Sequence, residues 1–255
     1  MKVYTAIEKA LRILLEFNHQ KNAQGTFEIS ESLNLSKPTT SRIMNTLAEY
    51  GFLLRDPETR KYSLGPWFIS QALGAMELLH KSLVVIAKPH LDRLCAQIDE
   101  TVTFTVFFAP KVVIMYIADK PGLIRINFMP GDTTAPNAAA SAKSIYAFLE
   151  PKTMDGLLSG KLERFTTNTI TDLKTLKAHY RQIRKQGYAV DNEEFQLDLK
   201  AIGVPVFDTA NKPIGAVSAV GISSPNRWGR DSPIIPKLKE TAEQISTDIY
   251  RYSHS

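Results

Sequence analysis

The stretch "LSKPTTSRIMNTLAEYGFLLRDPETRKYSLG", residues 35–65, decides how the first part of the chain folds. Ser36 reads as a helix N-cap, with Pro38 in the first turn, where a missing N–H costs nothing. Thr40, Ile43, Met44 and Leu47 recur at helical spacing and form an inward face. Gly51 ends the helix. "FLLR" and "KYSLG" then flank "DPET", whose Pro57 is pre-set for the second position of a tight turn.

Upstream, Ile7, Ala10, Leu11, Leu14 and Leu15 recur at helical spacing and predict an amphipathic helix. "NHQKNAQG" reads as a loop, and "ISESLNL" as a short second helix. Helix, helix, helix, hairpin is the chain order of a winged helix-turn-helix. In that motif the start of the third helix enters a major groove, and the hairpin tip reaches the neighbouring backbone or minor groove.

Once the apolar face is assigned, Lys37, Thr39, Ser41, Arg42 and Asn45 remain for the outside. Lys37 and Arg42 suit phosphates, whose counterions each contact releases. Arg42 or Asn45 suits base edges instead. Arg55, Arg60 and Lys61 put positive charge on the hairpin. The expected DNA-contacting set is therefore Lys37, Thr39, Thr40, Ser41, Arg42, Asn45, Arg55, Arg60 and Lys61, with Thr40 counted on both faces. A net charge of +5 permits an anionic partner, but its placement carries the argument.

A chain of 255 residues has room for two ordinary domains or one large one. It has no apolar run of about 18 residues, so no transmembrane helix and no membrane partner are expected. Glu8 and Lys9 interrupt the N-terminal apolar stretch, which argues against a signal peptide. Cys95 is the single cysteine, so no disulfide forms within the chain and a cytoplasmic location is expected. Cys95 falls on an apolar helix face and reads as a buried small hydrophobe rather than a redox sensor.

Beyond the hairpin, Trp67 and a stripe of Phe68, Ala72, Met76 and Leu79 predict a connecting helix, read as a dimer contact in preference to a core stripe. A helix over residues 82–98 follows. "VTFTVFFA", "KVVIMYIAD" and "LIRINFM" read as strands, and "NAAASAKSIYAFL" as a helix. A helix near 173–186 is rich in Lys and Arg, which read as a solvated outer face. "AIGVPVFD" and "IGAVSAVGI" read as strands, and the last helix runs over about 231–250. Mixed strands and helices predict an α+β domain, one sheet covered by helices.

In order and in motif, nearly the whole chain resembles the IclR family of bacterial transcription regulators. The resemblance rests on residues 35–65 with their closing "YSLG", on "DETVTFTV", on "PNAAASAKSIYAFL", on "GYAVDNEEFQLDLKAIGVPVFD" and on "IGAVSAVG". It implies a winged helix-turn-helix at 1–65, a linker helix at 66–81 and a GAF-like effector domain at 82–255, with a mainly antiparallel sheet and flanking helices. It also implies operator DNA as a partner, homodimers often paired into tetramers, and repression, activation or both.

Carried over residue by residue, the resemblance puts a ligand against Ala140, Ser141, Asp191, Leu199, Ala201, Ser218 and Val220. The backbone N–H groups at 140 and 141 suit a carboxylate. Asp191 and Ser218 suit a ligand hydroxyl. Ala142 stands where a Gly is usual, Ala201 where some members have Cys, and Val220 where some have a second Ser. The less polar pocket predicts a small organic acid with an apolar or aromatic body. Phe104, Phe107, Phe108, Phe128 and Tyr146 are candidates to line or back it, though core packing is the commoner role for such residues.

The cluster Asp191, Asn192, Glu193 and Glu194 reads as a solvated loop, since a metal site would want further ligands at matched spacing. No metal and no cofactor are expected. No G-x-S-x-G elbow, H-E-x-x-H, Walker loop or G-x-G-x-x-G occurs, and His19, His80, His90, His179 and His254 build no triad. An enzyme is the disfavoured alternative. So is a purely architectural DNA binder, which needs no long second domain.

Overall fold

A computed structural model describes residues 5–17, 22–68, 70–71, 83–119, 126–223 and 227–253. The chain divides into two compact units, Met1–His80 and Lys81–Ser255.

The first unit contains α1 (Ala6–Leu15), α2 (Thr26–Ser32), α3 (Lys37–Glu49), β1 (Leu53–Arg55) and β2 (Tyr62–Leu64). Thr5 and Glu8 cap α1 reciprocally. Helix α2 starts three residues earlier than its apolar pattern suggests, because the Glu28 carboxylate accepts from the Gly25 N–H. Ser36 caps α3 by accepting from the Thr39 N–H, and Gly51 leaves it at φ 77°. Strands β1 and β2 pair antiparallel, and Gln24 adds a bridge to Tyr62. The Asp56 carboxylate accepts from the N–H groups of Glu58 and Thr59 and closes the turn. A Cβ on Gly65 would meet the Gly51 carbonyl oxygen at 2.1 Å, so the hairpin can leave the domain there only as glycine.

Ile13, Phe17, Ile29, Met44, Leu53 and Tyr62 form the core of this unit. The apolar face expected of α1 is only partly used. Ile13 is buried, whereas Ile7, Leu11 and Leu15 are 73%, 55% and 74% exposed. So small a core covers just the side of α1 that meets α3. Residues 66–68, 70 and 71 are helical. Ala72, Met76 and Leu79 of the expected linker stripe lie outside the described residues, as do His19, His80 and His254.

The second unit is built on a six-stranded antiparallel sheet in the order β5-β4-β3-β8-β7-β6. These strands are β3 (Thr101–Phe108), β4 (Lys111–Ala118), β5 (Thr133–Thr134), β6 (Ala189–Asn192), β7 (Leu199–Phe207) and β8 (Pro213–Ile222). Helices α4 (Leu83–Ile98) and α8 (Ile234–Ser253) pack on one face, against Val102, Phe104, Ile202, Val204 and Val217. Helices α5 (Ala140–Tyr146), α6 (Pro151–Leu157) and α7 (Leu173–Gln186) belong to the opposite face, with Ile145, Tyr146, Leu176, Tyr180 and Ile183 in its core. Cys95 is buried in the first of these cores.

Several expectations change. Residues 126–129 of the expected third strand are not a strand, and the sheet edge is taken by the two-residue β5. Helix α5 is shorter than its Ala-rich pattern, because residues 136–138 form a turn and the helix starts only at Ala140. Helix α7 buries Leu176, Tyr180 and Ile183, and its Arg184 is not simply solvated, since it donates to the Ala147 and Leu149 carbonyls. Helix α6 and strand β6 are too short to show a period. Helix α8 begins at Ile234, whose N–H donates to the Ser232 hydroxyl.

Candidate functional site

In the first unit, Lys37 and Arg42 are exposed on α3, and Thr39 and Ser41 are half-buried beside them. The Lys37 ammonium sits 4.2 Å from the centre of the Phe27 ring. On the hairpin, Arg55 and Arg60 are exposed and Lys61 is half-buried. Arg55 lies 5.6 Å from the Tyr62 ring centre, and Lys61 pairs with Glu28 at 3.1 Å. Arg60 holds φ at 57° in the turn. Asn45 is tied to the hairpin, because its Oδ1 accepts from the Tyr62 hydroxyl at 2.6 Å. Thr40 is a correction. It is fully buried, and its hydroxyl donates to the Ser36 carbonyl at 3.1 Å. It shares the inward side of α3 with Met44, which wins over its place near the basic residues.

In the second unit, every residue expected to meet a ligand lines one small cavity of about 40 Å³. Ala140 and Ser141 come from the start of α5, and Asp191 from the end of β6. Leu199 and Ala201 come from β7, and Ser218 and Val220 from β8. Sheet register explains the convergence: Asp191 faces Ala201, and Ala201 faces Val220. A Cβ on Gly203 would lie 2.7 Å from the Ala140 carbonyl, so a glycine there lets α5 settle onto the sheet. No side chain caps α5, so its first N–H groups have no partner within the helix. Ser218 is 2% exposed, and its hydroxyl has no hydrogen-bond partner among the described residues.

Behind the cavity lies a buried ionic group that the sequence reading missed. Lys143 is fully buried, and its Nζ donates to Glu194 Oε1 and to the Val190 carbonyl, each at 2.6 Å. Asp191 Oδ1 accepts from the N–H groups of Glu194 at 2.7 Å and Phe195 at 3.3 Å. Burial pushes the Asp191 carboxyl up to about 7, against the opposing pull of Lys143. Burial also raises Glu194 and lowers Lys143. His179 is pushed down to about 4 by burial and then by the Lys143 charge. The acidic cluster at 191–194 is therefore not the solvated loop expected, since Asp191 and Glu194 are both 6% exposed. A single Lys inside the apolar "AAASAKSIYAFL" was the available signal for a buried cation.

Of the aromatic candidates, Phe128 lines the cavity. Phe104 packs in the core under α4 and α8. Phe107 and Tyr146 contact each other at 5.8 Å on the α7 side. Phe108 is exposed at the end of its strand. Strand alternation separates these residues, since neighbours on β3 face opposite layers. Among the described residues, no group of His, Cys, Asp and Glu side chains could hold a metal ion. No helix among them is long and apolar enough to cross a membrane.

A winged helix-turn-helix followed by this sheet and cavity has a direct match. The sequence model of the bacterial transcriptional regulator IclR C-terminal domain matches residues 75–247, and that of the IclR helix-turn-helix domain matches residues 6–57. The chain belongs to the IclR family. Its relatives include the HTH-type transcriptional regulator BhcR of Paracoccus denitrificans, 30% identical over 94% of this chain and 86% of that one. The HTH-type transcriptional repressor AllR of Escherichia coli is 26% identical over 98% and 92%. Among solved structures, IclR of Thermotoga maritima has a TM-score of 0.69 at 30% identity, over 95% and 98% of the two chains. An IclR homologue from Microbacterium hydrocarbonoxydans, complexed with 4-hydroxybenzoate, has a TM-score of 0.77 at 24% identity, over 96% and 99%. That last likeness speaks for the fold alone. DNA is thus the partner of the first unit, and the IclR chain is a transcriptional regulator.

Proposed function

We propose that this IclR-family chain is a ligand-responsive regulator that grips operator DNA through α3 and the hairpin. A small organic acid held in the second unit biases that grip. In this reading Lys37, Thr39, Ser41, Arg42, Arg55, Arg60 and Lys61 meet the duplex, with Asn45 holding the hairpin against α3. The linker is residues 66–81, and the protein works as a cytoplasmic homodimer that pairs into tetramers on palindromic sites. It has no catalytic role.

One observation carries the ligand half of the proposal. The Ser218 hydroxyl is buried without a partner among the described residues, on the wall of a cavity that also holds the uncapped start of α5. A buried polar group left unpaired costs about 1–3 kcal/mol, which a ligand oxygen would recover. The first-turn N–H groups suit the carboxylate and Ser218 suits a hydroxyl or keto oxygen. Ala201, Val220 and Phe128 surround an apolar body.

The test is a thermal-shift panel of aliphatic, keto and aromatic carboxylates, with 4-hydroxybenzoate first because a fold neighbour holds it. A compound that binds the native state raises the melting point by mass action. It should change DNA affinity in a gel-shift assay, and its effect should fall in Ser218→Ala. A panel without a hit, or a hit indifferent to Ser218→Ala, overturns the acid reading.

A further inference from the structure

The geometry points to Phe195 as the residue that sets the size of molecule the cavity accepts, by closing it off from an open cleft that serves as its entrance. This inference rests on the reading of the cavity as a ligand site, and its test does not require a ligand.

The cavity, at about 40 Å³, has room for only a few water-sized groups. Next to it lies an open cleft of about 380 Å³, walled by Pro136, Asn137, Leu157, Leu162 and Phe165. Two residues, Thr134 and Phe195, line both spaces. They differ in how firmly they are held. Thr134 belongs to β5 and is paired with Val112 of β4. Phe195 stands in the loop of residues 193–198, between β6 and β7, where no strand pairing is made.

That loop is bounded by two left-handed residues, Glu193 at φ 60° and Asp198 at φ 63°. Its base is anchored: Lys143 holds Glu194, and Thr169 donates to the Glu194 carbonyl at 2.6 Å. Beyond Phe195 the loop is exposed, with Leu197 at 54%. The Phe195 ring is held by other rings. It lies 6.2 Å from Phe128, which lines the cavity, and 5.1 Å from Phe165, which lines the cleft. The ring is therefore a partition resting between two aromatic stops. A change of its side-chain rotamer joins the two spaces while the anchored backbone stays in place.

With the partition shut, the cavity takes short molecules. With the ring removed, a longer molecule can enter and extend into the cleft, while Ala140, Ser141 and Ser218 are left as they are.

The experiment places a reporter thiol inside the cavity as Val220→Cys in the full chain, with Cys95→Ala removing the natural thiol. Its modification rate is measured with methyl methanethiosulfonate, which is small, and with Ellman's reagent, which is bulky and aromatic. The expected parent reacts far more slowly with the bulky reagent. Phe195→Ala should raise the bulky rate by about tenfold, the shift expected when two aromatic contacts are lost, and the small-reagent rate by less. Phe195→Leu, a milder change that keeps the loop apolar, should fall between them, and circular dichroism verifies folding of each. Equal rates for the two reagents in the parent overturn the proposal. So does a bulky rate unchanged in both variants. If no carboxylate protects the thiol in any variant, the acid-ligand reading fails separately, and the rate ratio still decides the partition.

Discussion

The two units of this chain solve different problems with different kinds of contact. The DNA-binding unit is assembled from neighbours in sequence: α3, its cap and the hairpin all lie within residues 35–65, and Lys37, Arg42, Arg55 and Arg60 are exposed. The effector unit does the opposite. Its cavity collects side chains from β3, α5, β6, β7 and β8, and it buries Lys143, Asp191 and Glu194 beside them. Exposed charge costs little to hold and is available to a partner. Buried charge is expensive and needs a partner inside the protein. The first unit should therefore tolerate charge removal and lose binding, whereas the second should lose its fold.

The hardest test of that contrast is Lys143→Met. It leaves the Glu194 carboxylate buried without its cation and should destabilise the effector unit by about 3–5 kcal/mol. Urea unfolding would show it, and Lys143→Met with Glu194→Leu should recover most of the loss. A single variant as stable as the parent would mean that the ion pair does not hold the loop at 191–198.

The pH dependence comes next. Asp191 titrates at about 7 in the folded protein, above the ordinary carboxylate range, because burial disfavours its charge. The folded state thus keeps a proton that the unfolded chain has released. Its stabilising effect is complete below the unfolded value and is lost as pH rises through about 7. The slope approaches about 1.4 kcal/mol per pH unit for this one group. The raised Glu194 adds in the same direction, and Lys143 is the cation facing both. His179, pushed down to about 4 by burial, works in the opposite direction over much of this range, so Asp191→Asn should shift the slope between pH 5 and 7 by about 1.4 kcal/mol per unit toward greater stability at higher pH. An unchanged profile would place the titration elsewhere.

Charge removal on the first unit should read differently. Arg42→Ala should weaken binding to an operator recovered by in vitro selection by about 1–3 kcal/mol if Arg42 reads a base. Lys37→Ala should weaken binding less and flatten its salt dependence. Neither should move the unfolding midpoint appreciably. A large stability loss in either would erase the distinction between the units. The smallest effect belongs to Asn45→Ala, which deletes the hydrogen bond from Tyr62 and should cost the first unit about 1 kcal/mol in thermal unfolding.

The sequence by itself determined the features written in short range. Ser36, Pro38 and Gly51 bound α3, and "DPET" makes the turn, because caps and turns act over a few residues. Position and spacing also made the cavity residues legible through their resemblance to a family, although nothing local connects Ala140 with Val220. The tertiary structure alone decided which face each side chain uses. It left Ile7, Leu11 and Leu15 in the open, because a small core covers only part of an amphipathic helix. It buried Asp191 and Glu194 because Lys143 arrives from a helix some fifty residues upstream, as their 2.6 Å contact at a separation of 51 records. It set Phe195 between Phe128 and Phe165, three rings from separate loops that no sequence period relates. Burial and charge pairing at such distances depend on which layers meet in space, and that is settled only when the sheet closes under its helices.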